Sequence, residues 1–397
     1  MKEIMKINLM TSFFATTLLS VALVACDGDE PTPTPTPTPK PDPTPEVQVK
    51  PLKGDITNAM VLNAQSYILS GTVRVKAGAS LTIPAGTVIK AEKGFDQYIL
   101  VEQGGKIYIN GTAEKPVVMT ANSDKADSGY WGGLIINGYA PITNGGTNKT
   151  EIDPSKPYGG DKADDNSGVI TYLILDYTGA KNDANTEHNG LTLNAVGNGT
   201  KIDNVLVRES ADDAIEFFGG TVNVTNFVSV NADDDMFDFT EGYSGTLHNA
   251  YGLWSESHSS TEKDPRGIEA DGNHDGNSPE GTPQSNFTVK DVTFVFNAKP
   301  STDATLMCDD VIKIRRGAIA TIQNALIKGQ GQVKNVLDFT DKKGDANPRT
   351  KVEYTSLLTT APADAEVKGT LNDGNIQKKE GLIGADTSKL AWTKLKF

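Results

Sequence analysis

Short segments in which apolar and polar residues alternate recur along the chain from about residue 55 onward. Each segment of one series is five residues long and begins at a turn. Its third and fifth residues are mostly apolar, and its fourth is polar or charged. The series consists of Asn189–Leu193, Asp213–Phe217, Asp235–Phe239, Arg266–Ala270, Asp310–Ile314 and Asn335–Phe339. A two-residue period predicts a β-strand with one face turned inward.

Two further series of β-type segments alternate with the first. One begins at Tyr172, Asn204, Asn226, Asn249, Asp291 and Asn324, and the other is Gly199–Ile202, Gly220–Val224, Ser244–Leu247, Phe287–Val289 and Ala318–Ile322. The repeat is 24 residues from Asn189 to Asp213 and 22 from Asp213 to Asp235. No intervening segment has a helical period over ten residues or more. The pattern predicts an all-β solenoid, a parallel β-helix with three strands per coil and roughly 9–11 coils of about 22–25 residues.

Three stretches interrupt the repeat, and all are rich in Gly, Asp, Asn, Lys and Pro: residues 144–167, 255–281 and 341–350. Insertions in a solenoid become loops on its faces, where binding residues are often found. We therefore predict that the first two of these loops form a contact surface.

The N-terminus has the features of an exported lipoprotein. Residues 1–25 combine Lys2 and Lys6 with an apolar run, and we expect them to be a signal peptide. The run ends in LVAC, which resembles a bacterial lipobox and predicts lipidation of Cys26; the alternative is an ordinary secretory signal with a chance cysteine. Residues 26–50 contain alternating Pro and Thr and predict an extended tether, about 50 Å long over residues 31–46. Residues 51–397 form the predicted β-helix domain.

Charge and the tether restrict the partners. The net charge is −14, which disfavours nucleic acid and anionic lipid as partners but permits divalent cations. No later segment is long and apolar enough to span a bilayer, so lipid alone would hold the protein at the outer membrane. Asp27, Asp29 and Glu30 resemble an acid-rich signal for display on the outer surface; the alternative is a periplasm-facing protein. We expect a monomer.

Several motifs are similar to a family of right-handed parallel β-helix lipoproteins from Bacteroidota. They include SLTIPAGTVIKAEKG, WGGLIINGYA, NGLTLNAVGNGTKIDNVLV, DDAIEFFGGTVNV and ADDDMFDFTEGYSG, and the likeness covers most of residues 60–310. The resemblance implies a right-handed β-helix and a surface location, but no activity. The histidine-containing insertion at 255–281 departs from the family pattern.

Acidic residues recur at equivalent corners of the predicted coils. Because neighbouring coils are about 4.8 Å apart, unneutralised carboxylates there repel one another unless a proton or a cation intervenes. Oxygen ligands suit Ca²⁺, and no other cofactor is indicated. The predicted metal ligands are Asp212, Asp213, Glu216, Asp234, Asp235 and Asp238, and Glu269 and Asp271 continue the column. The competing interpretation is that Asp and Asn at these corners only bind backbone amides.

Other candidate residues lie at or near the insertions. A glycan-cleaving enzyme would use Asp213, Asp234 and Asp235 with Arg266 and Arg315, because arginine binds uronate carboxylates. Trp254, His258 and His274 are candidate ligand-binding residues beside or within the 255–281 insertion. Cys308 has no predicted disulfide partner and is expected to be a buried thiol.

The predicted function is binding: adhesion to, or capture of, an extracellular glycan or protein. A Ca²⁺-dependent polysaccharide lyase or glycoside hydrolase is the enzymatic alternative, and a structural surface component is the third. The enzymatic alternative requires the acidic and basic groups to converge in one groove.

Overall fold

The computed structural model describes residues 49–183, 186–301 and 303–397. The predicted signal peptide, Cys26 and the predicted tether as far as residue 48 lie outside the described residues. Within the described part of the chain, no helix has the length and hydropathy needed to cross a bilayer. The helical segments there are short 3-10 turns at His274–Gly276, Ala304–Leu306 and Thr387–Thr393.

Strands make up the rest of the regular structure. They are β1 (Val49–Ile56), β2 (Ala59–Val61), β3 (Ser66–Val75), β4 (Ser80–Pro84), β5 (Val88–Ala91), β6 (Gly94–Val101), β7 (Lys106–Asn110), β8 (Val117–Ala121), β9 (Trp131–Asn137), β10 (Asn148–Thr150), β11 (Asp153–Tyr158), β12 (Gly168–Asp176), β13 (Lys181–Asp183), β14 (Thr186–Glu187), β15 (Leu191–Asn194), β16 (Lys201–Arg208), β17 (Ile215–Phe218), β18 (Asn223–Val230), β19 (Phe237–Thr240), β20 (Thr246–Trp254), β21 (Arg266–Asp271), β22 (Asn286–Phe296), β23 (Cys308–Arg315), β24 (Ile319–Gly329), β25 (Val333–Asp338), β26 (Lys351–Leu358), β27 (Ala365–Lys368) and β28 (Ile376–Lys378).

Parallel pairing arranges these strands in three ladders, which we call faces A, B and C. Face A runs from the end of β1 through the end of β3, β6, β9, β15, β17, β19, β21, β23 and β25 to β27. Face B runs through β2, β4, β7 and the first halves of the long strands from β12 to β26, and ends at β28. Face C runs from the starts of β1 and β3 through β5 and β8 and the second halves of those long strands.

The ladders confirm the predicted parallel β-helix. Counting along face A gives eleven levels, from β1 to β27, and therefore eleven coils in the described residues. In this numbering β17 belongs to coil 6, β19 to coil 7 and β21 to coil 8. Two antiparallel hairpins, β10–β11 and β13–β14, lie outside the main 24-stranded sheet.

Inward side chains stack along the axis of the solenoid. On face A, Phe217 lies opposite Phe239 in the next coil, and their rings stack with centroids 5.0 Å apart. Phe287 of face B extends this stack, 4.2 Å from the ring of Phe239. All three side chains are buried, and each contributes about 1.5–3 kcal/mol through the removal of apolar surface from water. The alternating pattern of the sequence is therefore the pattern of this core.

The corner between faces B and C is built on left-handed residues. Asn204, Asn226, Asn249, Asp291 and Asn324 occupy it with φ between 54° and 60°, a conformation that asparagine and aspartate tolerate better than other residues with a side chain. Their side chains hydrogen-bond from coil to coil. The Nδ2 atom of Asn249 donates to Oδ1 of Asn226 at 2.6 Å, and Asn324 donates to Asp291 at 2.7 Å.

Residues 383–397, which we call the C-terminal strap, run back over face C. Ala385, Leu390 and Trp392 pack on the outward apolar side chains of Leu206, Val228, Tyr251 and Val295. The Trp392 ring meets Tyr172 edge-on, with centroids 5.4 Å apart. The strap is fixed at the asparagine corner as well, where Oδ1 of Asn249 accepts the backbone N–H of Asp386 at 2.7 Å.

Candidate functional site: an acidic cleft on face A

One outward position of face A forms a continuous column across the coils. Strand side chains alternate between the two faces of a sheet, so the polar fourth position of each repeat points away from the core. The strand register aligns Thr192, Glu216, Asp238, Glu269, Lys313, Asp338 and Lys368 in that order. The column is acidic at coils 6–8 and alternates in charge beyond them.

The later coils carry paired charges. The Nζ atoms of Lys313 and Lys368 lie 2.6 and 2.8 Å from Oδ2 of Asp338. Burial of this carboxyl group opposes its ionisation, but hydrogen bonds from the two lysines outweigh burial and lower the pKa of Asp338 to about 2. Glu269 is likewise held between Arg266 and Arg315. The charged side chains in this part of the column are therefore paired with one another.

On coils 6 and 7, by contrast, the carboxylates have no basic side chain as a partner within the described residues. None of the six predicted metal ligands forms a salt bridge within the described residues. For all six, burial is the largest cause of a pKa well above the ordinary range, and neighbouring carboxylates raise it further; they are Asp212, Asp213, Glu216, Asp234, Asp235 and Asp238. The structure therefore brings the whole predicted set together on neighbouring coils.

Backbone capping explains part of this cluster. The Oδ1 atom of Asp213 accepts the backbone N–H of Asp235, at 2.9 Å, so Asp213 fits the capping interpretation. Asp233, which was not a predicted ligand, accepts both the N–H and the hydroxyl of Thr261. Capping does not account for Asp234, Asp235 and Asp238, because Oδ1 of each is buried and has no hydrogen-bond partner within the described residues.

The donor set fits a hard divalent cation. Three groups of carboxylates each place one oxygen per residue within 4.8 Å of the others: Asp212, Asp213 and Asp234; Asp213, Glu216 and Asp238; and Asp235, Asp238 and Glu269. Two oxygens that bind the same Ca²⁺ at about 2.4 Å lie at most about 4.8 Å apart, so the spacing is compatible with shared coordination. The unpartnered oxygens are the ligands that such an ion would use.

A cavity of about 400 Å³ lies over this part of face A. Its floor includes Thr192, Glu216, Asp238 and Glu269 from the outward column. Residues 148–152 and Tyr158 of the β10–β11 hairpin cover it, and we call them the roof. Glu187, His274 and Asp275 line its sides.

Glu241 fixes the roof to the solenoid. It follows β19 at the corner of coil 7, where its own φ is 57° and its side chain is buried. Its Oε2 atom accepts the hydroxyl of Tyr158 at 2.7 Å, and its Oε1 atom accepts the side-chain amide of Asn148. On coil 4, the Asn137 side-chain amide donates to the hydroxyl of Thr150 at 2.6 Å. The hairpin is thus tied to two distant coils.

The predicted catalytic set requires a correction. Asp213, Asp235 and Arg266 are at most 5% exposed and do not line the cavity, and Arg266 is bound to Glu269 and to Asp264. Arg315 is also bound to Glu269 and, at 2.7 Å, to Asp271. Asp213, Asp235 and Arg266 lie at or just before the start of their face A strands, where a substrate cannot reach such nearly buried side chains, and Asp234 is also outside the cavity lining. Arg315 lies at the other end, as the last residue of β23. The acids that the cleft presents without a salt bridge in the described residues are Glu216 and Asp238, joined by Glu151 of the roof.

The predicted ligand-binding residues are separated by the structure. Trp254 is 1% exposed, so it is a core residue and not a surface for stacking sugars. Its indole N–H donates to the carbonyl of Ala232, and the ring of His258 packs on it with centroids 4.5 Å apart. Burial lowers the pKa of His258 to about 4. Of the three predicted residues, His274 alone lines the cleft. Cys308 is buried, as predicted.

Sequence reasoning did not identify the roof residues Lys149, Glu151 and Tyr158 or their anchor Glu241. The irregular composition of residues 144–167 did mark the segment as an insertion beside a binding surface. Their individual positions follow from contacts with distant coils, which no local pattern encodes.

Comparison with known proteins places the fold in a family. A family model described as a pectate-lyase-like beta helix domain matches residues 54–394. The sequence matches no curated protein. A solved catalytic domain of a GH87 alpha-1,3-glucanase variant, in complex with tetrasaccharides, is 8% identical with a TM-score of 0.34, over 84% of this chain and 63% of that one. An alginate lyase from a Paenibacillus species is 12% identical with a TM-score of 0.19, over 79% of this chain and 100% of that one.

Proposed function

We propose that this chain, which belongs to the pectate-lyase-like β-helix family, cleaves glycans with the carboxyl groups of the face A cleft. The observation that carries the proposal is the pair formed by Glu216 and Asp238. The two residues are partners in the register of neighbouring coils, both line the cavity, and neither has a salt bridge among the described residues.

The pair has the chemistry of acid–base catalysis. Cleavage of a glycosidic bond uses one protonated carboxyl group and one ionised carboxylate at the same pH. Two carboxyl groups in contact cannot both ionise readily, so one retains its proton while the other remains charged. Burial raises the pKa of both Glu216 and Asp238, and neighbouring carboxylates raise it further, which favours a protonated member in the pair. The protonated member would donate to the leaving oxygen, and the ionised member would stabilise the positive charge that develops on the sugar or activate a water.

The roof supports this assignment. A volume of about 400 Å³ lies within the range of small-ligand sites. A bound ligand between the roof and face A would shield the pair from water, and electrostatic interactions are stronger in such a site than in open solvent. A glycan segment would lie across coils 5–8, with the Glu216–Asp238 pair beneath it.

Glycan binding without cleavage is the second candidate. It is favoured by the unpartnered oxygens of Asp234 and Asp235, which lie outside the cavity lining and fit a Ca²⁺ ion that would rigidify the corner. In that case the carboxylates serve structure, and the cleft only retains its ligand. The two candidates share a site but differ in whether product is released.

We also propose a location at the cell surface, on the basis of the N-terminal sequence. Cys26, in LVAC, would carry the lipid, and the Pro/Thr-rich tether would hold the β-helix away from the outer membrane. The resemblance to surface lipoproteins of Bacteroidota supports outward display. A surface β-helix with an enclosed cleft would meet extracellular glycans directly.

The test is a glycan panel scored for both retention and release of shortened or unsaturated products, with and without Ca²⁺. We expect release by the wild type and its loss in Glu216→Gln and Asp238→Asn. Glu114→Gln removes an exposed carboxylate between β7 and β8, away from face A, and is the matched control. Retention without release by the wild type would replace cleavage with binding, and absence of both would refute a glycan function.

A further inference from the structure

The charge of the cleft restricts the ligand. Glu151, Glu216 and Asp238 line it without a salt-bridge partner in the described residues. The basic side chains in its lining are Lys149 and His274, and His274 lies 3.9 Å from the carboxylate of Asp275. Asp213 and Asp235 each place an oxygen within 4.8 Å of Asp238, so further acidic groups adjoin the floor. Acidic side chains therefore outnumber basic ones in and around the cleft, which favours a cationic ligand.

The arginines near the cleft do not reverse this excess of acidic groups. Arg315 and Arg316 contact Asp271 at 2.7 and 2.5 Å, and Arg266 is held by Glu269 and Asp264. Each guanidinium group is already paired with at least one carboxylate. A uronate would have to displace one of these acids to reach an arginine, and it would meet Glu216 and Asp238 in the process.

The unpartnered atoms in the lining point to the same conclusion. Within the described residues, two buried side-chain atoms of the cleft have no hydrogen-bond partner: Oδ1 of Asn189 and Oδ1 of Asp238. Asn189 is only 3% exposed, so water does not readily satisfy it. Both atoms are acceptors. A buried acceptor without a partner is destabilising, and a hydrogen-bond donor on the ligand would remove that penalty.

We propose that the cleft selects glycans that carry free amino groups, such as glucosamine oligomers, over neutral glycans and uronates. An ammonium group offers three donors, a positive charge and no acceptor, which complements Glu216 and Asp238 below and Glu151 above. This inference rests on the glycan function proposed above and assigns the substrate class of the same site. It departs from the acidic substrates that the family's description suggests.

Three matched oligosaccharides test the inference by titration calorimetry on the full chain in chelator. They are a tetramer of β-1,4-linked glucosamine, its fully N-acetylated counterpart and a tetragalacturonate. We expect the amine to bind at least about tenfold more tightly than the acetylated tetramer, which corresponds to about 1.4 kcal/mol, and the galacturonate not to bind. Equal affinity for the two glucosamine tetramers would overturn the inference. Galacturonate binding that appears only with Ca²⁺ would overturn it in favour of a metal-bridged acidic ligand.

Substitutions in the cleft test which carboxylates produce the preference for the amine. Glu151→Gln changes an exposed roof residue, is expected to fold normally, and should reduce the amine preference about threefold to tenfold. Glu114→Gln should leave the preference unchanged. If both Glu151→Gln and Glu216→Gln kept the full preference for the amine, the proposed recognition of the ammonium group by these carboxylates would be refuted. If neutral or acidic glycans are cleaved and the amine is not bound, the substrate class is wrong but the glycan function stands; if none of the three is bound or cleaved, the function itself fails.

Discussion

Replacing Asp235 with asparagine should stabilise the metal-free protein at alkaline pH. Asp235 is 3% exposed, and its Oδ1 atom has no hydrogen-bond partner within the described residues. Burial is the largest cause of its raised pKa, and the carboxylates of Asp234, Glu269 and Asp238 raise it further, with only Arg266 acting in the opposite direction. An asparagine side chain at this position would keep the shape of the aspartate, remove one charge and supply an N–H donor to the neighbouring oxygens. A buried charge without a partner is normally destabilising, so its removal should increase stability.

The size of the effect follows from the spacing. The oxygens of Asp235 and Asp238 lie within 4.8 Å. With an effective dielectric constant of about 20, two unit charges at that separation repel by about 3.5 kcal/mol. Partial protonation reduces this figure, so we expect a gain of about 1–3 kcal/mol, or roughly 2–4 °C in melting temperature for a domain of this size.

The assay is thermal unfolding at pH 8 and pH 5, in chelator and with Ca²⁺. The gain should be largest at pH 8 in chelator, and it should shrink at pH 5, where the neighbouring carboxyl groups bind protons. Ca²⁺ should stabilise the wild type more than Asp235→Asn, because the variant has lost a ligand. Asp233→Asn is the matched control in the same acidic run. Both oxygens of Asp233 accept hydrogen bonds from Thr261, so this variant should lose about 1–3 kcal/mol.

One result would refute the reasoning about this cluster. If Asp235→Asn lost as much stability as Asp233→Asn at pH 8 in chelator, Asp235 would be a capping residue and not a repelled charge. Absence of any Ca²⁺ effect on the wild type would remove the metal from the proposal but would leave the repulsion argument intact.

Three further outcomes are expected. In chelator, the wild type should be more stable near pH 4 than at pH 8. The raised carboxyl pKa values mean that the folded state holds more protons than the unfolded state, so the stability is full below the unfolded-state pKa of about 4 and falls as the pH rises through the folded-state pKa values. A melting temperature that does not change with pH would contradict this. Tyr158→Phe should remove the hydroxyl donor from Oε2 of Glu241, cost about 1–3 kcal/mol and accelerate proteolysis of the roof; unchanged cleavage would show that this contact is unimportant. Trp392→Ala should cost about 3–5 kcal/mol of strap docking, measured as faster hydrogen exchange in residues 385–397 and not elsewhere.

The repeat could be predicted from the sequence because each coil has its own alternating pattern of apolar and polar residues. The alignment of Asp213–Phe217 with Asp235–Phe239 gives the register of β17 and β19, since a strand that buries alternate residues cannot slip by one position without exposing its core side chains. The stacking of Glu216 on Asp238 follows from the same alignment, so the floor of the cleft was within reach of sequence reasoning.

The roof and the pairing of charged side chains could not be predicted from the sequence. Asp153–Tyr158 contains two prolines, at positions 154 and 157, and has no alternating pattern, so nothing marks it as a strand of a hairpin. Its place is fixed by Glu241, which lies 83 residues beyond Tyr158. Arg266 and Glu269 were identified as candidates, but their mutual pairing depends on the insertion before β21, which sets where that strand rejoins the ladder. Trp254 follows an ordinary strand pattern, and its burial depends on Phe296 in the next coil.

The C-terminal strap changes how the molecule should respond to mechanical force. A solenoid with contacts only between neighbouring coils peels apart one coil at a time. Here Trp392 contacts Tyr172 on coil 4, Asp386 is bound by Asn249 on coil 7, and Gly384 is bound by Asn324 on coil 9, so the strap fastens coils 4 to 9 from outside. When the two ends of the domain are pulled apart, we expect the strap to detach first, as a discrete event of its own. Only then would the coils beneath it unwind, so the strap acts as a mechanical clasp across the middle of the protein.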